Sequence, residues 1–201
     1  FQFVSLDTQE VINDLAHRKF CFNKFPKYQS SSEMYSIQGI SMMKVDFVFE
    51  TSVNFTKITE QLFVGSFPQT AQDIDNLTSQ GIRAILNLQT ILDVETLCVN
   101  WNKLKKYYNA NDIIVEHYPM VDELEEIKAN IHKVGDLIHR LIQEHGKVYV
   151  HCNVGKSRSP HAVAYYLWKF QNLDLKAAIA EVKTKRPKVR IYEEVFKVAT
   201  H

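Results

Sequence analysis

His151-Cys152-Asn153-Val154-Gly155-Lys156-Ser157-Arg158-Ser159-Pro160 decides how this chain is read: a cysteine and an arginine with five residues between them, His before the Cys, Gly in the interval and Ser after the Arg. Upstream, Lys147-Val148-Tyr149-Val150 is short, apolar and β-branched, the pattern of a buried strand. Downstream, Pro160 to Trp168 has the spacing of a helix, for which Ser159 is the expected N-cap and Pro160 the first helical residue. A strand, a tight loop and a helix in that order aim several backbone N–H groups at one place. The segment therefore predicts an anion site.

The residue types say what such a site does. A thiol is a poor nucleophile until it ionises, and a cysteine beside a helix N-terminus and an arginine is expected to have its pKa lowered to the thiolate range. The amides of Asn153, Val154, Gly155, Lys156, Ser157 and Arg158 would ring a phosphoryl group, with the Arg158 guanidinium holding two of its oxygens as a fork. Donors so placed stabilise the charge on the equatorial oxygens as the group passes to sulfur. Gly155 suits a backbone that must approach a ligand closely. The Ser159 hydroxyl can reach the Cys152 sulfur and help it leave. The competing reading of Cys152, a small apolar residue filling a core, explains none of its neighbours.

On these residues the segment resembles the signature loop of the cysteine-dependent protein tyrosine phosphatase superfamily, in the short form of its dual-specificity branch. Gly81-Ile82-Arg83-Ala84-Ile85-Leu86-Asn87-Leu88 resembles that branch's strand ending in Leu-Asn. The resemblance implies that Asn87 props the loop and that the His151 ring orients it. Lys185-Arg186-Pro187 and Phe196 resemble the branch's Arg-Pro turn and final helix. It covers about residues 55 to 201, expected as the catalytic domain, with 1–54 as an N-terminal extension. A phosphatase of this kind takes the leaving-group proton from a carboxylic acid on a loop before the cysteine. Pro119 followed by Asp122 resembles the branch's Pro-x-x-Asp, so Asp122 is expected as general acid and then general base. Glu123, Glu125 and Glu126 are neighbouring candidates, and acids here also suit the start of the helix expected from about Glu123. No metal and no cofactor is implied.

A second resemblance bears on substrate. Ile58 to Ile74, with Gly65-Ser66-Phe67-Pro68-Gln69-Thr70 at its centre, together with Leu86-Asn87-Leu88-Gln89 and Asp93, resembles the starch-excess type of glucan phosphatase of plants and algae. It implies a starch-like phosphoglucan, whereas Ser157-Arg158-Ser159 is ordinary for enzymes acting on phosphoproteins; both remain candidate substrates. The Gly-Ser-Phe-Pro-Gln-Thr run has a plainer reading as a structural turn. Val154, Lys156 and Ser157 depart from the glucan-phosphatase loop, and Lys156 adds a cation that suits phosphoinositide or other phospholipid substrates. A non-catalytic phosphate-binding scaffold is the alternative of a different class, and intact Cys152, Arg158 and Asp122 speak against it.

Composition sets limits. The chain has 201 residues, 45% of them hydrophobic, and a formal net charge of +1. That is enough for one domain of ordinary core with some embellishment. Without a basic run, nucleic-acid binding by bulk electrostatics is not expected. The longest apolar stretches are too short for a transmembrane segment. Cys21, Cys98 and Cys152 make no disulfide framework, so a reducing compartment is expected, the cytoplasm, or a plastid had an upstream segment carried a transit peptide. A Cys98–Cys152 regulatory disulfide is a further expectation.

Periodicity predicts helices over about 9–20, 70–80, 94–108 and 127–145. It predicts strands over 45–53, 58–64, 82–88, 113–118 and 147–151. Strands alternating with helices predict an α/β fold, a central, largely parallel twisted sheet flanked by helices, with the signature loop at the carboxyl end of a central strand. Nothing in the pattern specifies an oligomer.

Overall fold

The computed structural model describes residues 34–37, 40–43, 53–97 and 100–197. The helix expected over 9–20, nearly all of the strand expected over 45–53, and Cys98 with its proposed disulfide lie outside these residues. The chain divides into two compact units, Phe1–Thr51 with Val94–Val99, and Ser52–Asp93 with Asn100–His201. In the first unit, β1 (Met34–Ile37) pairs antiparallel with β2 (Ile40–Met43), Met34 opposite Met43.

The second unit is built on a five-stranded sheet. Its strands are β3 (Phe55–Lys57), β4 (Leu62–Gly65), β5 (Ala84–Asn87), β6 (Ile114–His117) and β7 (Val148–His151), in the order β3-β4-β7-β5-β6. β3 is antiparallel to β4, and every other pairing is parallel. The strand expected over 58–64 breaks at its start: residues 58–61 form the turn after β3, and only Leu62 onward is strand. Thr59 explains the break: its hydroxyl accepts from the amides of Gln61 and Leu62, closing a turn where a strand would have continued.

β4, β5 and β7 are buried at every position, as parallel strands covered on both faces must be. Alternation sends their side chains to two layers. Leu62, Val64, Ala84, Leu86, Val148 and Val150 share one core with α4 (Leu124–His145), α5 (Arg158–Phe170) and α6 (Leu175–Lys185). Phe63, Ile85 and Tyr149 fill the other layer, where α1 (Ala71–Ser79) and α3 (Trp101–Ala110) contribute buried Ile74, Leu77, Leu104 and Tyr108. The helix expected over 94–108 is in fact two, α2 (Ile91–Thr96) and α3, the latter started by Asn100, whose side chain accepts from Lys103 N. Among the described residues no helix is long and apolar enough to cross a membrane.

α1 opens on a capping box between Thr70 and Asp73. Asp73 is more than an early-turn acid, because its buried carboxylate also accepts from Val53 N at 2.6 Å and Gln69 N at 2.8 Å. α4 buries Ile127, Ile131, Val134, Ile138, Leu141 and Ile142 along one stripe and ends at Gly146, whose φ of 81° favours glycine. Where α4 crosses α5, Gly135 lets the helices close up: a Cβ there would stand 2.3 Å from Tyr165 Cδ1.

Two predictions follow from this packing. Gly135→Ala gains helix propensity of about 0.5–1 kcal/mol but forces Tyr165 aside, which costs roughly 1–3 kcal/mol, so the urea midpoint should fall. A midpoint at or above that of the parent would show that the α4–α5 crossing has room. The second concerns buried histidines. Burial pushes His151 down to about 4 and also lowers His161. Both are therefore neutral when folded, and the unfolded chain binds more protons below pH about 6.5. Stability should be full above that pH and fall as pH drops toward 4, by up to about 3 kcal/mol for His151. Stability that is flat between pH 6.5 and 4.5 would refute a neutral His151.

Candidate active site

Residues 152–157 leave β7, the middle strand of the sheet, and enter α5. Along the way each backbone carbonyl is taken by a donor. Leu88 N donates to His151 O at 2.9 Å, Phe67 N to Asn153 O at 3.0 Å and Arg190 N to Lys156 O at 2.6 Å. His151 Nδ1 donates to Cys152 O at 3.1 Å and His161 Nδ1 to Ser157 O at 2.9 Å. The Arg186 guanidinium spans two more, Nε to Gly155 O at 2.8 Å and Nη2 to Val154 O at 3.3 Å. Among the described residues, none of the N–H groups from Asn153 to Arg158 donates to a protein acceptor. A loop whose carbonyls are bound and whose amides are unspent is a ready receptor for an anion.

Close packing holds that shape. Gly155 has φ 64°, and a Cβ on it would lie 2.4 Å from the carbonyl carbon and oxygen of Gly65. Gly65 is equally crowded, its own Cβ position 2.2 Å from Asn54 O. The run Gly65 to Thr70 is accounted for by such contacts. Tyr149 donates its hydroxyl to Ser66 O, Phe67 N holds Asn153 O, and Thr70 caps α1. The run that carries the second resemblance thus supports the loop.

Cys152 is a free, buried thiol with its Sγ 3.3 Å from Ser159 Oγ. Ser159 is not the N-cap that the sequence suggested. α5 starts at Arg158, with Ser157 at the cap, so Ser159 and Pro160 stand one residue deeper and the Ser159 hydroxyl is turned to the sulfur. The cap carries no side-chain hydrogen bond; the Ser157 carbonyl, held by His161, marks the start of the helix.

Arg158 is 1% exposed. Its Nη1 donates to Asp93 Oδ2 at 2.6 Å, Met120 O at 2.9 Å and Leu88 O at 3.2 Å. Burial opposes its charge, but Cys152, Asp93 and Asp122 outweigh burial and raise its pKa. Its Nε is buried without a hydrogen-bond partner, 4.0 Å from Asp122 Oδ1. Asp122 stands half-exposed above it on the segment before α4, tethered through Met120, whose N also donates to Leu88 O at 3.3 Å. Val154 and Lys156 are exposed on the outside of the loop, and the Lys156 side chain makes no bond among the described residues.

Asn87 makes no direct side-chain hydrogen bond to the loop. Its Oδ1 accepts from Gln89 N at 2.8 Å, closing its own turn, and its Nδ2 is buried with no partner. Support for the loop comes instead from Gln89, whose Nε2 donates to Asn153 Oδ1 at 2.9 Å, and from Asp93, whose Oδ1 accepts from Asn153 Nδ2 at 2.7 Å. The sequence reading gave no role to Gln89, Asp93 or Arg186. All three stand within recognisable motifs, but the loop groups they touch lie 31 to 65 residues away. Among the described residues no group of three or more His, Cys, Asp or Glu is gathered to hold a metal.

This arrangement has relatives. Mouse dual specificity protein phosphatase 14 is 30% identical over 161 residues, 80% of this chain and 75% of that protein. Phosphoglucan phosphatase LSF1, chloroplastic, of Arabidopsis thaliana is 30% identical over 131 residues, 65% of this chain. Phosphoglucan phosphatase DSP4, amyloplastic, of Castanea sativa is 28% identical over 163 residues, 79% of this chain. The chain spans only 22% and 44% of the length of those two. The crystal structure of PTPMT1 shares the fold, with a TM-score of 0.59 at 22% identity, covering 72% of this chain and 90% of that one. Residues 62–197 match the catalytic domain of dual specificity phosphatases, and they contain the loop, Arg158, Asp122 and the strands that carry them. By that match, the chain belongs to the dual specificity phosphatase family.

Proposed function

We propose that the protein hydrolyses phosphomonoesters through a phosphocysteine intermediate. The observation that carries this is the loop of unspent amides around Cys152, with the unpartnered Nε of Arg158 beside it. In the first step the Cys152 sulfur, as thiolate, attacks phosphorus. The phosphorus–oxygen ester bond breaks, and the leaving oxygen takes a proton from Asp122. The amides of Asn153, Val154, Gly155, Lys156, Ser157 and Arg158, with the Arg158 guanidinium, stabilise the equatorial oxygens. In the second step Asp122, now a carboxylate, accepts a proton from water as that water attacks phosphorus. The sulfur–phosphorus bond breaks, and the thiolate leaves with help from the Ser159 hydroxyl. Inorganic phosphate is released. His151, neutral and bonded to Cys152 O, orients the loop and takes no part in proton transfer.

The rim of the cradle supports phosphoprotein as the substrate class. Ile91, Leu92, Val121, Leu124 and Val154 are exposed, at 69%, 65%, 46%, 37% and 51%, and each lies within two residues of Asp93, Asp122 or Cys152. Aliphatic side chains suit the apolar residues that flank a phosphorylated side chain, whereas sugar rings stack on aromatic faces. Phosphoglucan is the second reading, supported by what two relatives are named for. A reducing compartment, cytoplasm or plastid stroma, is where Cys152 stays a thiol.

With p-nitrophenyl phosphate and a chelator present, the protein should turn over, and Cys152→Ser should abolish it. Denaturing a reaction quenched with labelled substrate should leave the label on residue 152; turnover without that label sinks the mechanism. Asp122→Asn should slow an alkyl phosphate by about 10²-fold or more while barely affecting a good aryl leaving group. Equal losses on both would take Asp122 out of the acid role. Phosphate release from phosphopeptides should exceed release from amylopectin, and the reverse ranking would favour the glucan reading.

A further inference from the structure

The strongest polar cluster outside the reacting groups is centred on Asp93. Its carboxylate accepts four hydrogen bonds: Oδ2 from Arg158 Nη1 at 2.6 Å, Thr90 N at 2.8 Å and Thr90 Oγ1 at 2.9 Å, and Oδ1 from Asn153 Nδ2 at 2.7 Å. The Thr90 bonds, with Asp93 N donating to Thr90 Oγ1 at 3.1 Å, cap α2. The other two bonds leave the helix and reach both ends of the phosphate loop. Burial works to raise the Asp93 pKa, but the bonds from Arg158, Asn153 and Thr90 lower it below the usual value, so the carboxylate stays charged across the neutral range.

A guanidinium has five N–H donors in a rigid plane. Asp93, Leu88 O and Met120 O together occupy Nη1. That leaves the Nε–Nη2 edge: Nε is buried without a partner on the Asp122 side, and Nη2 makes no hydrogen bond among the described residues. Rotating the fork to offer Nη1 instead would break three bonds, one of them an ion pair at 1% exposure. At the other end of the loop, the Asn153 carboxamide is gripped between Asp93 Oδ1 and Gln89 Nε2, so its backbone amide cannot swing without breaking both contacts.

We infer that Asp93 is a positioning residue for phosphoryl transfer: it aims the Nε edge of Arg158 at the phosphoryl group and sets Asn153 at the mouth of the same loop. The inference rests on the proposed phosphatase reading for its catalytic consequence. The aiming itself is a property of anion binding and can be tested without turnover. The Asp93 carboxylate bonds to Thr90, Arg158 and Asn153, and it acts through the last two.

The test compares Asp93→Ala and Asp93→Asn with Thr90→Val, which removes the hydroxyl from the helix cap and leaves the bonds to Arg158 and Asn153. Asp93→Ala should lower kcat for p-nitrophenyl phosphate by about 10²-fold, the order expected for a misplaced catalytic group. Asp93→Asn should give an intermediate loss, since one carboxamide oxygen still accepts. Thr90→Val should keep kcat within about twofold, because misplacement of Arg158, not loss of a cap, is what costs rate. In a Cys152→Ser background, calorimetry with inorganic phosphate should show about 10-fold weaker binding when Asp93→Ala is added, about the worth of one charge-assisted contact. If Thr90→Val and Asp93→Ala lose activity and thermal stability in step, Asp93 is only a helix cap and the inference fails. Unchanged phosphate affinity in the double variant overturns it as well. Phosphate binding that depends on Asp93 in a protein without turnover would support the inference while refuting the hydrolase reading.

Discussion

A positive charge is held in the core at the point where the middle strand ends, and much of the site is organised around the need to satisfy it. Arg158 has almost no exposure, and a guanidinium so placed is costly unless its donors find partners. Three are found at Nη1: a carboxylate from α2, the carbonyl of Leu88 after β5 and the carbonyl of Met120 before α4. One buried side chain thus ties the ends of three parallel strands together at the sheet's carboxyl edge. The segment carrying Asp122 is fixed by one of these bonds, the one to Met120 O.

Around that charge the loop is shaped from outside. Its carbonyls are bound by donors from the hairpin, the turn after α6 and α5, so its amides are left to face whatever anion enters. The pair Gly65 and Gly155 allows the loop to lie directly on the end of β4. Arg186 braces it from the opposite side and reaches Asn54 Oδ1 at 2.7 Å and Thr56 Oγ1 at 3.0 Å, so the β3 edge is drawn into the same bracing. None of these residues is required to meet substrate. They make the arrangement stiff, and stiffness is what electrostatic stabilisation of a transferring phosphoryl group needs.

Much of this could be read along the chain. Cys152, Gly155, Arg158 and Ser159 sit within eight residues, between a strand and a helix whose periods are unmistakable, so local spacing alone places a thiol and a guanidinium on one loop between them. Strands alternating with helices gave the parallel sheet, because a parallel pair demands a crossover. Errors arose where local pattern met a competing local bond. Thr59 closes a turn where the first half of a strand is expected, and the helix expected over 94–108 divides into α2 and a segment recapped by Asn100.

What the sequence by itself determined was the make-up of the loop, since thiol, cation and amides are all supplied by one short segment. What only the tertiary structure decided was which residues hold that segment in shape: Asp93 for Arg158 and Asn153, Gln89 at the loop, Arg186 across two carbonyls. The reason is physical. A hydrogen bond across 65 residues leaves no periodicity in the chain. An acid that caps its own helix reads the same whether or not its second oxygen grips an arginine.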